Sequence, residues 1–146
     1  MKKFEPILTE RFRLRDFCEA DLARFCAYRQ APEVAKYQSW ENYDFAQARA
    51  FFAAQQGQAL GEQGSWYQVA IADRNDDALL GDCAIHFFED GKQVELGVTL
   101  DPANQHRGVA LEALQCLLQL IFMQWQYHRV SAVIDALNAP AEQLLK

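Results

Sequence analysis

Hydrophobic and polar residues alternate in some segments of this chain and recur at helical spacing in others. Between residues 7 and 17, Phe12 and Leu14 alternate with arginines, which predicts a half-buried first strand. Residues 21–30 place their apolar side chains on one helical face, and Pro32 follows shortly afterwards. This pattern predicts a helix over 21–30 that ends before the proline.

The middle of the chain predicts one more helix and three strands. Asp44 and Gln47 have the spacing of a capping box, so a helix is expected from there to about Gln56. A glycine-containing loop follows, and then three apolar runs are separated by polar turns at 73–77 and 89–92. The predicted strands are Trp66–Ala72, Leu79–Phe88 and Val94–Leu100.

A long amphipathic helix and a further strand are predicted in the last third. The apolar stripe assigned to this helix consists of Leu111, Leu114, Leu118, Ile121, Phe122 and Trp125. The β-branched run from Arg129 to Asp135 predicts a strand, and Asn138 is a suitable N-cap for a last helix. A strand, a helix and a strand in that order predict a βαβ unit with a parallel strand pair. The whole chain, 1–146, is therefore expected to form one mixed α/β domain.

Composition narrows the classes of function. With 146 residues, of which 51% are hydrophobic, the chain can form one core. Its net charge of −6 argues against binding nucleic acid, which calls for a basic surface, and it is compatible with a cationic acceptor such as an amine. The four cysteines show no metal-ligand spacing, so no metal is expected, and buried, reduced thiols are predicted instead. No secretion signal or membrane span is recognisable, which favours a cytoplasmic protein.

The loop Gln105-His-Arg-Gly-Val-Ala110 joins a predicted strand to the long helix. Unpaired amide groups and the positive end of the helix dipole converge at such a helix start, which makes it an anion site. Gly108 would allow a ligand to approach the backbone closely, and Arg107 adds a positive charge. The loop contains neither the Gly-Lys-Ser/Thr ending of a P-loop nor the three glycines of a dinucleotide fingerprint.

This loop resembles the Gln/Arg-x-x-Gly-x-Gly/Ala loop of the GNAT superfamily, the acyl-CoA-dependent N-acyltransferases. Further segments, in the same order along the chain, resemble the branch that contains ribosomal-protein and amino-sugar N-acetyltransferases. They are Thr9-Glu-Arg-Phe-Arg-Leu-Arg15, Pro32-Glu-Val-Ala-Lys-Tyr-Gln-Ser-Trp40, Leu79-Leu-Gly-Asp82, Glu95-Leu-Gly97 and Ala110-Leu-Glu-Ala-Leu114. The resemblance implies a GNAT-like fold, with an antiparallel meander and a βαβ unit around the coenzyme A loop.

The C-terminal part departs from the pattern of that family. Ala141 stands where the family has a serine, and the sequence ends at Lys146, before the expected Leu-Gly-Phe and a last strand pair. The expectation is thus a truncated C-terminus: either the chain is a shortened form, or another chain completes the sheet. Because the strand Arg129–Asp135 would otherwise present an unpaired edge, a homodimer is one expected arrangement.

The resemblance also implies acetyl-CoA as the cosubstrate and a role for particular residues. The pantetheine arm would lie along Val98, Thr99 and Leu100, and the Val98 amide would polarise the thioester carbonyl as an oxyanion hole does. Asn138 would contact the same arm. The pyrophosphate would bind to the backbone amides of Gln105, His106, Arg107, Gly108, Val109 and Ala110.

Glu95 is the best candidate for the general base, acting directly or through water, although a solvated strand carboxylate would look the same in the sequence. His86 could face the acceptor cleft or could be a structural residue. No hydroxyl or thiol has an identifiable base partner, which favours direct transfer over a covalent acyl-enzyme. The expected function is transfer of an acetyl group from acetyl-CoA to a primary amine, either a protein N-terminus or a small amine. The alternatives are a non-catalytic CoA-binding or oligomer-forming module and a purely structural α/β domain.

Overall fold

The structure, a computed structural model, describes residues 3–30, 44–102, 108–127 and 129–133. The predicted order of elements is confirmed within these ranges. Two short strands come first, followed by two helices, a three-stranded meander, a long helix and a last strand. The elements are β1 (Ile7–Leu8), β2 (Phe12–Arg15), α1 (Leu22–Gln30), α2 (Phe45–Gln56), β3 (Ser65–Asp73), β4 (Leu79–Phe87), β5 (Gln93–Leu100), α3 (Val109–Gln119) and β6 (Arg129–Val133).

The six strands form one sheet in which each strand pairs with its neighbours in sequence order. The pairs from β1 to β5 are antiparallel, whereas β5 and β6 are parallel and are connected through α3. The predicted meander and βαβ unit are therefore confirmed. The predicted last helix, its N-cap Asn138 and the end of the predicted strand at Asp135 lie outside the described residues.

The segment 7–17 was predicted as one strand and is instead a tight hairpin of β1 and β2. The backbone N–H of Thr9 donates to the Phe12 carbonyl at 2.8 Å, and the Thr9 hydroxyl accepts from the Phe12 N–H at 2.9 Å. These two bonds reverse the chain within three residues. The alternation of apolar residues continues through the turn, so periodicity alone could not show it.

Each face of the sheet is covered by different helices. On one face, α3 packs against apolar side chains of all three meander strands, including Val69, Ile85 and Leu96. On the other face, α1 and α2 cover Ala70 and Leu79 with aromatic and aliphatic side chains. We call these the α3 face and the helix-pair face. A membrane-spanning helix is absent from the ranges that the structure describes.

The capping box before α2 is confirmed, whereas the apolar stripe of α3 was partly mispredicted. Asp44 accepts from the Gln47 N–H and Gln47 accepts from the Asp44 N–H, both at 2.8 Å. In α3 and the π-helical turn Leu120–Gln124 that follows it, Phe122 is 46% exposed. The side chains buried there are Val109, Ala110, Ala113, Leu114, Leu117, Leu120 and Ile121. Apolar residues cover most of the circumference of this segment and polar ones only one side, so its sequence does not separate Phe122 from the buried residues, and the π-helical turn shifts the phase.

The prediction of buried thiols is correct for two of the four cysteines. Cys26 and Cys83 are buried, Cys116 is half-buried and Cys18 is exposed, and all four are free thiols. Cys18 lies at the start of the turn that leads into α1, and its neighbour Phe17 enters the core instead. Burial raises the pKa of the Cys83 and Cys116 thiols.

Candidate functional site

The start of α3 has the geometry expected of an anion site. Gly108 is the N-cap of this helix, is exposed, and has a φ of 76°, in the left-handed region that favours glycine. The Gly108 carbonyl accepts the first helical hydrogen bond, from the Glu112 N–H at 3.1 Å. The amides of the first turn, beginning at Val109 and Ala110, precede that bond and have no partner within the helix. The positive end of the helix dipole and these N–H groups meet at an accessible point.

Glu112 fastens this helix start to the β1–β2 hairpin. Its carboxylate accepts hydrogen bonds from the Thr9 hydroxyl, from the Arg11 backbone N–H at 3.0 Å and from Arg11 Nε at 2.9 Å. Burial alone would raise the pKa of Glu112, but the hydrogen bonds from Thr9 and Arg11 outweigh it and lower the pKa. A carboxylate in the first turn of a helix interacts favourably with the helix dipole, and Glu112 also joins two elements.

Arg11 is a residue of this site that the sequence did not identify. A methyl group built on Gly108 would lie 3.1 Å from Arg11 Nη2, so the guanidinium stands directly beside the helix start. Its charge is balanced by Glu112 at 2.9 Å. A pair 101 residues apart leaves no local pattern in a sequence, and the only signal was the arginine within Thr9-Glu-Arg-Phe-Arg-Leu-Arg15.

A cleft of about 310 Å³ adjoins the same helix start on its β2–β3 side. Its charged side chains are Glu10, Arg11, Asp73 and Arg74, so the formal charges in its lining cancel. Val109 forms part of the wall. This cleft is thus less favourable to an anion than the helix start at Gly108.

The strand β5 extends at its C-terminal end beyond its described ladder with β6. Its ladder with β6 runs from Gln93 to Gly97, whereas its ladder with β4 continues to Leu100. The Asp101 N–H donates to the Leu80 carbonyl at 3.0 Å, so the odd-numbered residues of β5 bond to β4. Backbone N–H groups alternate in direction along a strand, so the N–H of Val98 points away from β4. It lies on the β6 side of the strand, one residue beyond the last described pair, Gly97 and Val133.

On the helix-pair face, three cross-strand pairs of β4 and β5 lie next to one another. Asp82 is opposite Thr99, Ala84 is opposite Gly97, and His86 is opposite Glu95. The middle pair has almost no side-chain bulk and separates the polar groups of the two outer pairs. Val98 and Thr99 are half-buried and Leu100 is buried in the α3-face core.

A buried polar network lies on one side of the pair of Ala84 and Gly97. Asp82 is 1% exposed and accepts hydrogen bonds from the Tyr28 hydroxyl, from Arg29 Nη2 at 3.3 Å and from Gln68 Nε2 at 2.9 Å. Burial raises the pKa of Asp82, and the positive charge of Arg29 offsets part of this effect. Burial and the Asp82 carboxylate also raise the pKa of the Tyr28 hydroxyl. The network joins α1 to the middle of the sheet beside Thr99.

Glu95 and His86 bound the other side. Both are half-buried, and each is the other's partner in the β4–β5 register. The His86 ring stacks on Trp66 of β3, with centroids 4.5 Å apart and ring planes 10° apart. The structure thus brings the candidate base Glu95 and His86 to one face.

The proposed ligand contacts are described only in part. Glu95, Val98, Thr99 and Leu100 lie on one strand, whose C-terminal end leads toward the helix start with Gly108, Val109 and Ala110. Gln105, His106, Arg107 and Asn138 lie outside the described residues. Arg11, Asp82 and the stack of Trp66 on His86 are features that the sequence did not point to.

Comparison with known proteins shows the family. A family model described as "Acetyltransferase (GNAT) domain" matches residues 11–146. The uncharacterised N-acetyltransferase p20 of Bacillus licheniformis is 27% identical over 143 residues, which are 97% of this chain and 79% of that protein.

Two solved structures are similar over almost the whole chain. A Vibrio cholerae protein provisionally assigned as a ribosomal-protein-serine acetyltransferase is 25% identical and has a TM-score of 0.78. The match covers 99% of this chain and 82% of that protein. A GNAT-family acetyltransferase from Bacillus anthracis has a TM-score of 0.82 at 23% identity, with 97% of this chain and 80% of that one covered. The chain belongs to the GNAT family of acetyltransferases, for which acetyl-CoA is the implied donor.

Proposed function

We propose that this acetyltransferase moves the acetyl group of acetyl-CoA directly onto a primary amine, on a peptide N-terminus or a small molecule. One observation carries the proposal: the C-terminal end of β5, where the N–H of Val98 points away from β4, leads toward an exposed helix start at Gly108. A thioester at this end of β5 and a diphosphate at the helix start would occupy both features at once. The Vibrio cholerae relative is provisionally assigned as a ribosomal-protein-serine acetyltransferase, which supports a protein as one acceptor class.

The donor would be held mainly by backbone groups. The pyrophosphate of coenzyme A would accept hydrogen bonds from the first amides of α3, where the dipole favours negative charge. The Arg11 guanidinium beside Gly108 would add a charged donor at the same point. The pantetheine amides would pair with the backbone of Val98 and Leu100 at the C-terminal end of β5, as a further strand would.

The transfer itself needs a polarised carbonyl and a neutral amine. The Val98 N–H, which points away from β4, would donate to the thioester oxygen as negative charge develops there. Glu95 would take a proton from the ammonium group of the acceptor, which leaves the neutral amine that attacks. The amine nitrogen then bonds to the carbonyl carbon, the carbon–sulfur bond breaks, and the second proton lost by the nitrogen goes to the thiolate of coenzyme A. Because Glu95 lies three residues from Val98, about 10 Å along the strand, a bridging water suits this distance.

Direct transfer fits the described cysteines. A thiol must ionise to attack a thioester, and burial raises the pKa of both Cys83 and Cys116. The exposed Cys18 lies before α1 and not on β4 or β5. An acyl-enzyme formed on one of these three residues is therefore disfavoured.

The test is release of free coenzyme A thiol from acetyl-CoA in the presence of small amines and short peptides. We expect acceptor-dependent release, and Glu95→Gln should lower kcat by about 10²–10⁴-fold while the affinity for coenzyme A is retained. Glu19→Gln, at an exposed carboxylate in the turn before α1, serves as a control for the loss of a carboxylate elsewhere. Binding of coenzyme A without turnover of any amine would show a non-catalytic binding module instead.

A further inference from the structure

Three side chains form a continuous row across the helix-pair face of the sheet. Trp66, His86 and Glu95 occupy one register line of β3, β4 and β5. The Trp66 ring lies nearly parallel to the His86 ring, with centroids 4.5 Å apart. The Phe88 ring also contacts His86, with centroids 4.8 Å apart and ring planes tilted by 49°. We call the line from Trp66 to Glu95 the aromatic row. It places an indole at one end and a carboxylate at the other.

The aromatic row lies just past the helices that cover this face. The side-chain amide of Gln55, in the last turn of α2, donates to the Gln68 carbonyl at 3.2 Å, and α2 ends at Gln56. Gln68 is two residues before Ala70, which the helices bury, and two residues after Trp66. Among the described residues, the helices therefore cover this face as far as Gln68 and do not reach the aromatic row. Trp66 is 48% exposed. A tryptophan this exposed, held flat by a stacked partner, is a preformed surface for a ligand.

The charge near this surface favours a cation. Glu95 stands at the inner end of the row, and Glu89 lies beside Gly64, two residues before Trp66, since a methyl group on Gly64 would be 3.1 Å from Glu89 Cγ. Lys92 on the turn before β5 and Arg129 at the start of β6 carry opposing charges, and the whole chain carries −6. An indole ring attracts an ammonium or guanidinium more strongly than other aromatic rings do. A flat neutral ligand could use the stack, but it would gain nothing from the carboxylates.

We infer that the aromatic row recognises a second positive charge on the acceptor, so that the preferred substrates are amines carrying another cation. This inference rests on the proposed function, in which Glu95 receives the amine that is acetylated. Two strand spacings separate Glu95 from Trp66, which sets the distance between the two charges at about 10 Å. A long diamine has this chemistry, and so does a peptide N-terminus followed by a lysine or arginine side chain.

The experiment compares acceptors that differ only in the second charge. One pair is a diamine with a seven-carbon spacer and the amino alcohol of the same length. The other pair is a tripeptide with lysine at its second position and the same tripeptide with norleucine there. The measured quantity is the ratio of kcat/KM for the charged acceptor to kcat/KM for its neutral match. The pair with the larger ratio identifies the source of the second cation.

Variants then test whether the aromatic row causes the preference for the charged acceptor. The wild-type ratio is expected to be about threefold to tenfold above one, and Trp66→Ala should bring it close to one. Trp66→Phe should retain part of the preference because an aromatic face remains. Phe122→Ala is the matched control: Phe122 is 46% exposed, close to the value for Trp66, but it lies in the turn after α3, on the other side of the sheet. Its ratio should equal that of the wild type.

Calorimetry with the diamine separates this inference from the proposed function. Turnover of amines with a ratio near one in the wild type, or a ratio that Trp66→Ala leaves in place, would overturn the inference and leave the proposed function standing. If no amine is turned over, the proposed function fails. Weaker binding of the diamine to Trp66→Ala than to the wild type would then still support a dication site at the row, and equal binding would refute it.

Discussion

Glu112 of α3 forms a salt bridge with Arg11, the residue just before β2, in which Glu112 Oε1 and Arg11 Nε are 2.9 Å apart. The same carboxylate also accepts from the Arg11 backbone N–H and the Thr9 hydroxyl. One side chain thus fixes the first turn of the helix to the opposite end of the chain. The helix start at Gly108, where the pyrophosphate is proposed to bind, depends on this connection for its position.

Replacing Glu112 should both destabilise the protein and weaken the binding of acetyl-CoA. Glu112→Ala leaves three hydrogen-bond donors without this acceptor, so the free energy of unfolding should fall by about 1–3 kcal/mol. The exposed part of the pair contributes less: Arg11 is 50% exposed, so a double-mutant cycle with Arg11→Ala should give a coupling of only about 0.5–1 kcal/mol. Urea unfolding measures both quantities. A cycle with no coupling would show that Glu112 acts through Thr9 and the backbone N–H alone.

The pH dependence of Glu112 has a defined sign. Its pKa is lowered in the folded protein, so its contribution to stability is present above the unfolded pKa of a glutamate, about 4.3, and is lost as the pH falls through the folded pKa. Relative to Glu112→Gln, the wild type should therefore gain stability as the pH rises from acid to neutral. Unfolding curves of the two proteins over this range test the direction. A difference that does not change with pH would contradict the lowered pKa.

Gly108→Val should reduce the affinity for coenzyme A. A β-branched residue at a φ of 76° is strained by about 1–2 kcal/mol, and its Cβ would stand 3.1 Å from Arg11 Nη2, where a phosphate is expected. We expect the dissociation constant measured by calorimetry to rise about tenfold or more. Gly61→Val is the matched control, because Gly61 has a φ of 87° and the nearest atom to its Cβ is the Tyr127 hydroxyl, at 4.0 Å. The control should lose similar stability and keep its affinity for coenzyme A; an equal loss of affinity would show a general effect of strain.

Local patterns in the sequence were sufficient for the order of the elements and for part of the site. Alternation identified β3, β4 and β5, and the capping box at Asp44 identified the start of α2. The glycine before an apolar helix indicated Gly108 as the helix start. Each of these signals lies within a few residues of the feature that it predicts, which is why a single sequence reveals it.

Contacts between distant parts of the chain were not predictable in the same way. The Arg11–Glu112 bridge spans 101 residues, and the Asp82–Tyr28 hydrogen bond spans 54. Their partners are fixed only after the sheet has formed, so no spacing in the sequence encodes them. The apolar stripe of α3 was wrong at Phe122 for another reason: where most positions are apolar, the buried face is chosen by packing against the sheet.

Gly81→Ala should damage β5 without touching a ligand. A methyl group on Gly81 would lie 2.5 Å from the Thr99 carbonyl oxygen and 2.8 Å from a methyl carbon of Leu100. Since the Thr99 contact is with backbone, β5 would have to move, and overpacking of this kind costs about 1–3 kcal/mol. Gly57→Ala is the control: its φ is −87° and the only neighbour of the added methyl is the Ala54 carbonyl oxygen at 3.7 Å, so its stability should be unchanged or slightly higher. Thermal unfolding of both variants provides the comparison, and equal melting temperatures would refute the close approach at Gly81.

Asp82 should give a pH dependence opposite to that of Glu112. Burial raises its pKa in the folded state above the unfolded value of an aspartate, about 3.9, so the stability it contributes is present below the unfolded pKa and is lost as the pH rises through the folded pKa. Asparagine resembles the protonated form and does not titrate. The free energy of unfolding of Asp82→Asn, compared with the wild type by urea unfolding between about pH 4 and 7, should therefore shift in favour of the variant as the pH rises. The opposite slope would mean that the attraction of Arg29, 3.3 Å away, outweighs the cost of burial, and that the network beside Thr99 holds an ionised carboxylate.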